Sequence, residues 1–371
     1  MRRPLRELVV GQDLRHSLPD HDLEFLRMLG GPTLIRLAGR DPSRTRAVST
    51  LLHGNEPSGL RAILHYLRSS EIPATNMLFF IGAVETALSA PEFSHRFLPG
   101  QLDANRVWVS PWESPEGSVA REVLDRFKAA EPECVVDLHN NTGHNPAYGV
   151  AFHIGPAELF LVSLFADRVV HTPIELRTLV EATVNDFPSV TIECGRAGDP
   201  AADEAASLGL ARLLAQDVLD FARPHRPVLI LGAPVRVCLR EGSELTFADA
   251  PDRSVPLTIS KNIDRHNFER LAPGSPIGWL APGASWPLQA IGGAGKDCSK
   301  SIFEADAGIL RTRREFTPIM MTTNREIAHS DCLFYAVQPM LAQPSNGESG
   351  FHDIVEHEAA TTPSGGDGWW A

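Results

Sequence analysis

Cysteine is scarce and scattered: Cys134, Cys194, Cys238, Cys298 and Cys332 are odd in number and show no Cys-x-x-Cys spacing. That argues against a disulfide framework and makes reduced thiols in a cytoplasmic protein the economical expectation. Positive charge is short as well. With 34 Lys and Arg against 46 Asp and Glu, the net charge is −12. No basic face is evident to meet phosphates, so nucleic acid is not expected as a partner. An acidic small substrate is not excluded, because a local arginine cluster can dominate inside a cleft. No apolar run approaches the length that spans a bilayer. Arg2 and Arg3 are followed by Leu5–Val10 interrupted by Arg6 and Glu7, so neither a membrane partner nor a signal peptide is expected. No internal repeat stands out.

What is present is ordinary for a soluble globular chain with a large core: 371 residues, 43% hydrophobic and 22% charged, a length that favours two domains. Asp20–Leu29 puts Leu23, Phe25, Leu26 and Leu29 on one helical face and stops at Gly30-Gly31, so residues 1–31 read as a mostly helical lead-in. Thr33–Leu37 and Ala47–Leu52 read as strands joined by the turn Gly39-Arg40-Asp41-Pro42. Helix Ser58–Ser69, strand Met77–Ile81, an irregular stretch over 84–115 and helix Glu116–Ala130 follow. Then come a strand ending at His139, a further strand near Val150–Ile154, helix Pro156–Val170, strand Pro188–Glu193 and helix Ala201–Ala222. This alternation predicts an α/β layer with a mostly parallel sheet at its centre. After Arg223-Pro224-His225-Arg226-Pro227 long helical patterns stop. Short runs such as Pro234–Leu239 and Pro318–Thr322, broken by Gly and Pro, predict a smaller β-rich C-terminal domain. The expected layout is therefore a lead-in over 1–31, a catalytic domain over 32–224, a β-rich domain over 225–340 and a flexible tail over 341–371.

The chemistry begins at Leu51-Leu52-His53-Gly54-Asn55-Glu56-Pro57-Ser58-Gly59. A strand ends there and Pro57 opens a helix, so His53 and Glu56 sit at the usual address of an α/β active site. An imidazole and a carboxylate three residues apart on such a turn can converge on one divalent cation. Both are normal zinc ligands, and catalytic zinc needs one more plus an open position. A polar turn facing solvent would carry the same residues. Two further strands end in the same chemistry, Glu133–Thr142 at His139 and Pro188–Gly195 at Glu193, and Leu102–Trp108 supplies Asn105 and Arg106.

Taken together, His-Gly-Asn-Glu, Asp-x-Asn-Arg, Asp-Leu-His-Asn and Ile-Glu-Cys-Gly resemble, in order, the signatures of the succinylglutamate desuccinylase/aspartoacylase family, relatives of the zinc carboxypeptidases. The resemblance spans roughly Pro32 to Val337. It implies a zinc-carboxypeptidase-like catalytic domain with a C-terminal β-domain that overhangs the site. It also implies one Zn²⁺ per chain held by His53, Glu56 and His139, with Glu193 as general base. Glu193 would take a proton as water attacks an amide carbonyl and pass it to the leaving amine. Its structural alternative is a carboxylate paired with Arg196. Arg106 offers a planar fork for a substrate carboxylate, with Asn105 as a neutral donor beside it; a solvated surface arginine is its alternative. Arg96 resembles the arginine that polarises the scissile carbonyl, although the segment after it is about two residues longer than in the family. Asn140 and Asn141 could orient ligands or substrate, or simply make a turn.

Two departures bear on the substrate. Aspartoacylases carry an arginine about ten residues before the catalytic glutamate, and that position here is Thr183, which argues against N-acetylaspartate. The family's C-terminal-domain tyrosine is matched by His329, in Thr323–His329, which would donate a hydrogen bond in its place unless it is an ordinary surface histidine. The reading that follows is a zinc-dependent hydrolase acting on a small N-acyl amino acid or similar amide. The alternatives are a carboxypeptidase acting on short or cell-wall peptides, and a non-catalytic metal-binding relative. Zinc is inferred from ligand type, and another divalent ion could use the same donors. Homo-oligomerisation is left open.

Overall fold

The computed structural model describes residues 4–340 apart from 142, 173, 174, 293, 294 and 331, so the expected tail over 341–371 lies outside the described residues. The chain divides into two units, Met1–Leu231 and Gly232–Ala371. The first begins with β1 (Arg6–Val10), α1 (Gln12–Arg15), α2 (Asp22–Leu29), β2 (Thr33–Leu37), β3 (Asp41–Thr50), α3 (Ser58–Arg68), β4 (Thr75–Ile81) and α4 (Val84–Ala87). It continues with α5 (Pro115–Ala130), β5 (Val135–Asn141), β6 (Tyr148–Ala151), α6 (Pro156–Phe165), β7 (Arg168–His171), α7 (Leu179–Thr183), β8 (Ser189–Arg196) and α8 (Pro200–Ala215). From there β9 (Leu229–Leu239) leads into the second unit.

Strands of the first unit lie in the order β1-β2-β4-β3-β5-β8-β6-β7-β9. Only β2–β4 and β6–β8 pair antiparallel, so the sheet is mostly parallel, as the strand–helix alternation predicts. A parallel sheet covered on both faces needs apolar strands throughout. β4 reads Thr-Asn-Met-Leu-Phe-Phe-Ile, and β5 is buried along its whole length. On one face Ile63 and Leu67 of α3, Leu161 of α6 and Leu210 of α8 cluster over Val48, Val136 and Val190. On the other, Val123 and Phe127 of α5 cover Leu34, Ala47 and Val135. α5 starts where a sequence rule would place it: Ser114 caps it by accepting from the Gly117 N–H, and Pro115 fills the first turn.

α3 approaches β3 and β5 closely because residue 59 has no side chain. A Cβ there would lie 2.1 Å from Thr50 Oγ1 and 2.8 Å from Leu138 Cβ. In an exposed helix Gly→Ala stabilises, by up to about 1 kcal/mol. Here the clash with packed strand atoms dominates, and Gly59→Ala is expected to destabilise by about 1–3 kcal/mol. Urea unfolding of the variant checks this; an unchanged or raised midpoint would mean α3 can lift off the sheet freely.

Among the differences from the sequence reading, three have a clear tertiary reason. Arg6–Val10 of the lead-in is a strand, paired parallel to β2, because its apolar Leu8, Val9 and Val10 complete a sheet edge. The helix after Pro156 stops at Phe165, and Val169 and Val170 instead pair with β6 and β9, as β-branched residues favour. α8 ends at Ala215 because its last carbonyls are taken from outside. The buried Arg46 donates to Leu213 O at 2.7 Å, and the Ala74 N–H donates to Leu214 O at 2.8 Å. β2 and β3, although joined by a short turn, are separated in the sheet by β4.

The second unit adds β10 (Leu245–Ala248), β11 (Leu257–Ser260), β12 (Pro276–Leu280), β13 (Leu288–Ile291), α9 (Ser299–Ile302), β14 (Phe303–Asp306), β15 (Ile309–Thr312), β16 (Thr317–Ile319), α10 (Arg325–Ser330) and β17 (Phe334–Pro339). Five strands form a sheet in the order β10-β11-β12-β15-β14, while β9 pairs with β13 and β17 with β16. Its core is aromatic: Phe316 and Phe334 stack at 5.8 Å, and Phe303 meets both edge-on. A smaller β-rich unit is what the Gly- and Pro-broken texture predicts. Among the described residues no helix is long and apolar enough to cross a membrane.

Candidate active site

The turn after β3 is tight and strained. Leu51 takes a left-handed conformation, φ 54°, which costs a non-glycine residue about 1–2 kcal/mol. Hydrogen bonds from Gly82 N to Thr50 O and from Ala83 N to Leu51 O hold it there. Gly54 then passes so close to its neighbours that a Cβ would lie 2.8 Å from both Ala87 N and His95 O. Its N–H donates to Arg96 O at 3.0 Å, which ties the Arg96 loop to the His53–Glu56 turn.

Around that turn the structure brings His53, Glu56 and His139 together, all buried, with one potential ligand atom from each within 4.8 Å of the others. Glu56 faces both imidazoles: Oε1 lies 2.8 Å from His53 Nδ1, and Oε2 lies 2.7 Å from His139 Nδ1. Each ring's other nitrogen has a carboxylate of its own. His53 Nε2 is 2.9 Å from Asp103 Oδ1, and His139 Nε2 is 2.7 Å from Asp137 Oδ2. Arg96 closes the cluster, donating from Nε and a terminal nitrogen to Asp103 Oδ2 at 3.0 and 2.9 Å and lying 3.7 Å from Glu56 Oε1.

Burial alone would raise the Glu56 carboxyl, but the charges of His53 and His139 outweigh it and hold Glu56 well below the usual carboxylate range. Asp103 is depressed in the same way, burial being overcome by its hydrogen bond and charge interaction with His53 and by Arg96. His139 is the converse case. Burial opposes its protonation, yet Asp137 and Glu56 hold it well above the ordinary imidazole value.

Glu193 stands directly across the β5–β8 pair from His139 and across the β6–β8 pair from Tyr148, so the three side chains share one face of the sheet. Its Oε2 is sealed from solvent without a hydrogen-bond partner. Burial pushes the carboxyl up to about 8; Glu56 and Asp137 push the same way, against the pull of His139 and Arg96. No ion pair joins Glu193 to the exposed Arg196. Cys194 beside it is buried, which raises its thiol far above neutrality and makes it a poor nucleophile.

The remaining expected residues fall in different places. Asn105 is buried, accepts from Leu179 N at 3.1 Å, and has its amide nitrogen 3.3 Å from His139 Nε2. The shorter contact to Asp137 claims that ring proton. Arg106 is exposed and donates to the neighbouring Asn105 carbonyl at 2.8 Å. Asn140 has its side chain committed to the protein, accepting from Ser58 N and donating to Ser58 Oγ and Gly195 O, while its N–H is 3.3 Å from Glu56 Oε2. From Ser58 the network runs through Asp203 and Arg61 to Asp22 of α2. Thr183 is buried in α7 and hydrogen-bonded to Leu179 O and Ser189 Oγ. His329 lies on α10 of the second unit, exposed and 3.7 Å from Glu244.

Two carboxylates that contact the imidazoles, Asp103 and Asp137, were not singled out by sequence reasoning. Both were in plain view. Asp137 precedes His139 by two on a strand, which puts both side chains on one face, and Asp103 opens the Asp-x-Asn-Arg motif.

No family model matches the sequence, and no curated protein matches it. Solved structures do match. A succinylglutamate desuccinylase/aspartoacylase from Rhodobacter sphaeroides is 14% identical, with 83% of this chain and 89% of that one covered at a TM-score of 0.54. A succinylglutamate desuccinylase from Vibrio parahaemolyticus is 15% identical, with 90% and 99% covered at 0.57. The ectoine utilization protein EutE of Ruegeria pomeroyi, solved with product bound, is 15% identical, with 82% and 88% covered at 0.52. At such identities the likeness is one of fold, and the fold of this chain is that of the succinylglutamate desuccinylase/aspartoacylase structures.

Proposed function

We propose that this protein is a zinc-dependent hydrolase that cleaves the amide bond of an N-acyl amino acid or similar small amide. The observation that carries the reading is the paired orientation of the two imidazoles. Both present Nδ1 to Glu56, and each Nε2 is held by a separate carboxylate, Asp103 or Asp137. Carboxylate–histidine pairs of this kind orient metal-binding imidazoles and fix which nitrogen carries the proton. Two imidazoles and a carboxylate are also a known donor set of hydrolytic zinc.

His53, Glu56 and His139 would hold the ion, which would supply Lewis acidity and lower the pKa of a water toward neutrality. Glu193, whose Oε2 has no protein partner, takes the proton of the attacking water and delivers it to the leaving nitrogen. Arg96 neutralises the oxyanion that develops on the carbonyl oxygen. Arg106 and Asn105 meet a substrate carboxylate, and Asn140 steadies Glu56. The neighbours named as desuccinylases and aspartoacylases support a deacylase, and five free cysteines support a reducing compartment.

Metal analysis of protein purified without chelator tests the first half of this reading, with about one zinc per chain expected. Product analysis over N-acyl amino acids and short peptides tests the second; cleavage of peptides alone would replace the deacylase by a carboxypeptidase. Asp103→Asn is expected to keep the fold and weaken zinc binding by about 10–100-fold. Competition against a chromophoric chelator measures it, and unchanged affinity would leave Asp103 without an orienting role.

A further inference from the structure

Where Arg96 meets the His53–Glu56 turn, the first unit holds a partly open cavity of about 80 Å³. One water needs roughly 10–15 Å³ of such space, so the cavity has room for a short chain or a single ring. Its walls are largely apolar: Leu52 and Phe80 from the sheet, Val119 and Ala120 from α5, and Trp108 from the loop between. The indole N–H of Trp108 is buried and has no acceptor among the described residues.

Arg96 belongs to both places. It lines the cavity, and its guanidinium is 3.7 Å from Glu56 Oε1. An arm entering the cavity therefore starts within a few bond lengths of the carbonyl that would be cleaved. Charge decides what kind of arm. Its one cation among the described residues, Arg96, is already bonded twice to Asp103. An anionic arm would meet apolar wall with its nearest cation already spent, an unfavourable transfer from water.

We propose that this cavity receives the acyl arm of the substrate, and that the arm is neutral and apolar, a medium-length alkyl or an aryl group rather than acetyl or succinyl. The proposal rests on the hydrolase reading above. In the reaction, water oxygen bonds to the acyl carbon and the carbon–nitrogen bond breaks. One water proton goes to the departing nitrogen, and the other is lost from the apolar acid to the freed amine or to solvent, so that the acid leaves as its carboxylate.

The test is kcat/KM over one amine half carrying acetyl, butanoyl, pentanoyl, benzoyl and succinyl groups, run beside an acetyl series with varied amine halves. Burying methylenes predicts a gain of about fourfold each, so roughly 60-fold from acetyl to pentanoyl. In Ala120→Phe, which fills the cavity, the pentanoyl-to-acetyl ratio is expected to fall toward one. Val119→Trp serves if that variant does not fold. Equal rates for acetyl and pentanoyl, a preference for succinyl, a ratio untouched by the filling variants, or a preference that tracks only the amine half would each overturn the proposal. Calorimetry of pentanoate and succinate binding to the purified protein gives a readout that does not depend on turnover. If no amide is hydrolysed, the hydrolase reading fails separately. The cavity's preference then stands if pentanoate binds at least tenfold tighter than succinate and the filling variant removes the difference; otherwise it falls too.

Discussion

Glu193→Gln is expected to lower kcat by about 10²–10⁴-fold, the usual contribution of a positioned proton acceptor, while zinc content stays at the wild-type level. The two side chains have nearly the same shape, so packing on the β8 face is preserved. What changes is that an amide cannot accept the proton of the attacking water. Single-turnover rates alongside elemental analysis give the two numbers needed. A variant that still turns over within tenfold of wild type would return Glu193 to the status of a buried structural carboxylate. One that loses zinc as well as activity would make it a ligand rather than a base.

His53→Ala is expected to act on the other quantity. Removing one imidazole leaves Glu56 and His139 as the remaining donors, fewer than the three that catalytic zinc takes from protein. Zinc should fall from about one per chain to near zero, and hydrolysis to background. Stability should fall too, because Glu56 and Asp103 each lose a buried partner, and breaking such a pair costs about 3–5 kcal/mol. Circular dichroism therefore has to accompany the metal analysis. A folded variant that keeps its full zinc content would remove His53 from the ligand set and with it the zinc-hydrolase reading.

Much of this was legible because local signals agreed with the global fold. The β3–α3 junction combines a strand pattern, a proline in the first helical turn and an imidazole–carboxylate pair, so its strand–turn–helix structure and the approach of His53 to Glu56 could be read. His139 and Glu193 each end a short apolar run, and the register that puts them side by side follows from the parallel pairing of those two strands. Where the reading missed, the cause was long-range. Arg46, far away in sequence, decides where α8 stops, and a sheet edge turns Arg6–Val10 into a strand. Arg106 and Asn140 show a different limit, since residue type and motif bring them to the neighbourhood but not to a particular bond. The Asn140 amide is occupied by Ser58 and Gly195, and the Arg106 guanidinium contacts its own main chain.

The leading strand also sets where the protein can be shortened. A chain trimmed to begin at Pro32, where the α/β signal starts in the sequence, would strip β1 from β2 and leave a row of unpaired backbone groups along a hydrophobic strand, a template for aggregation. It would also remove Asp22, leaving Arg61 with Asp203 alone and loosening the support behind Ser58, Asn140 and Glu56. Such a fragment would fail by clumping and by a loosened His53–Glu56–His139 cluster together, although no residue within it had been altered.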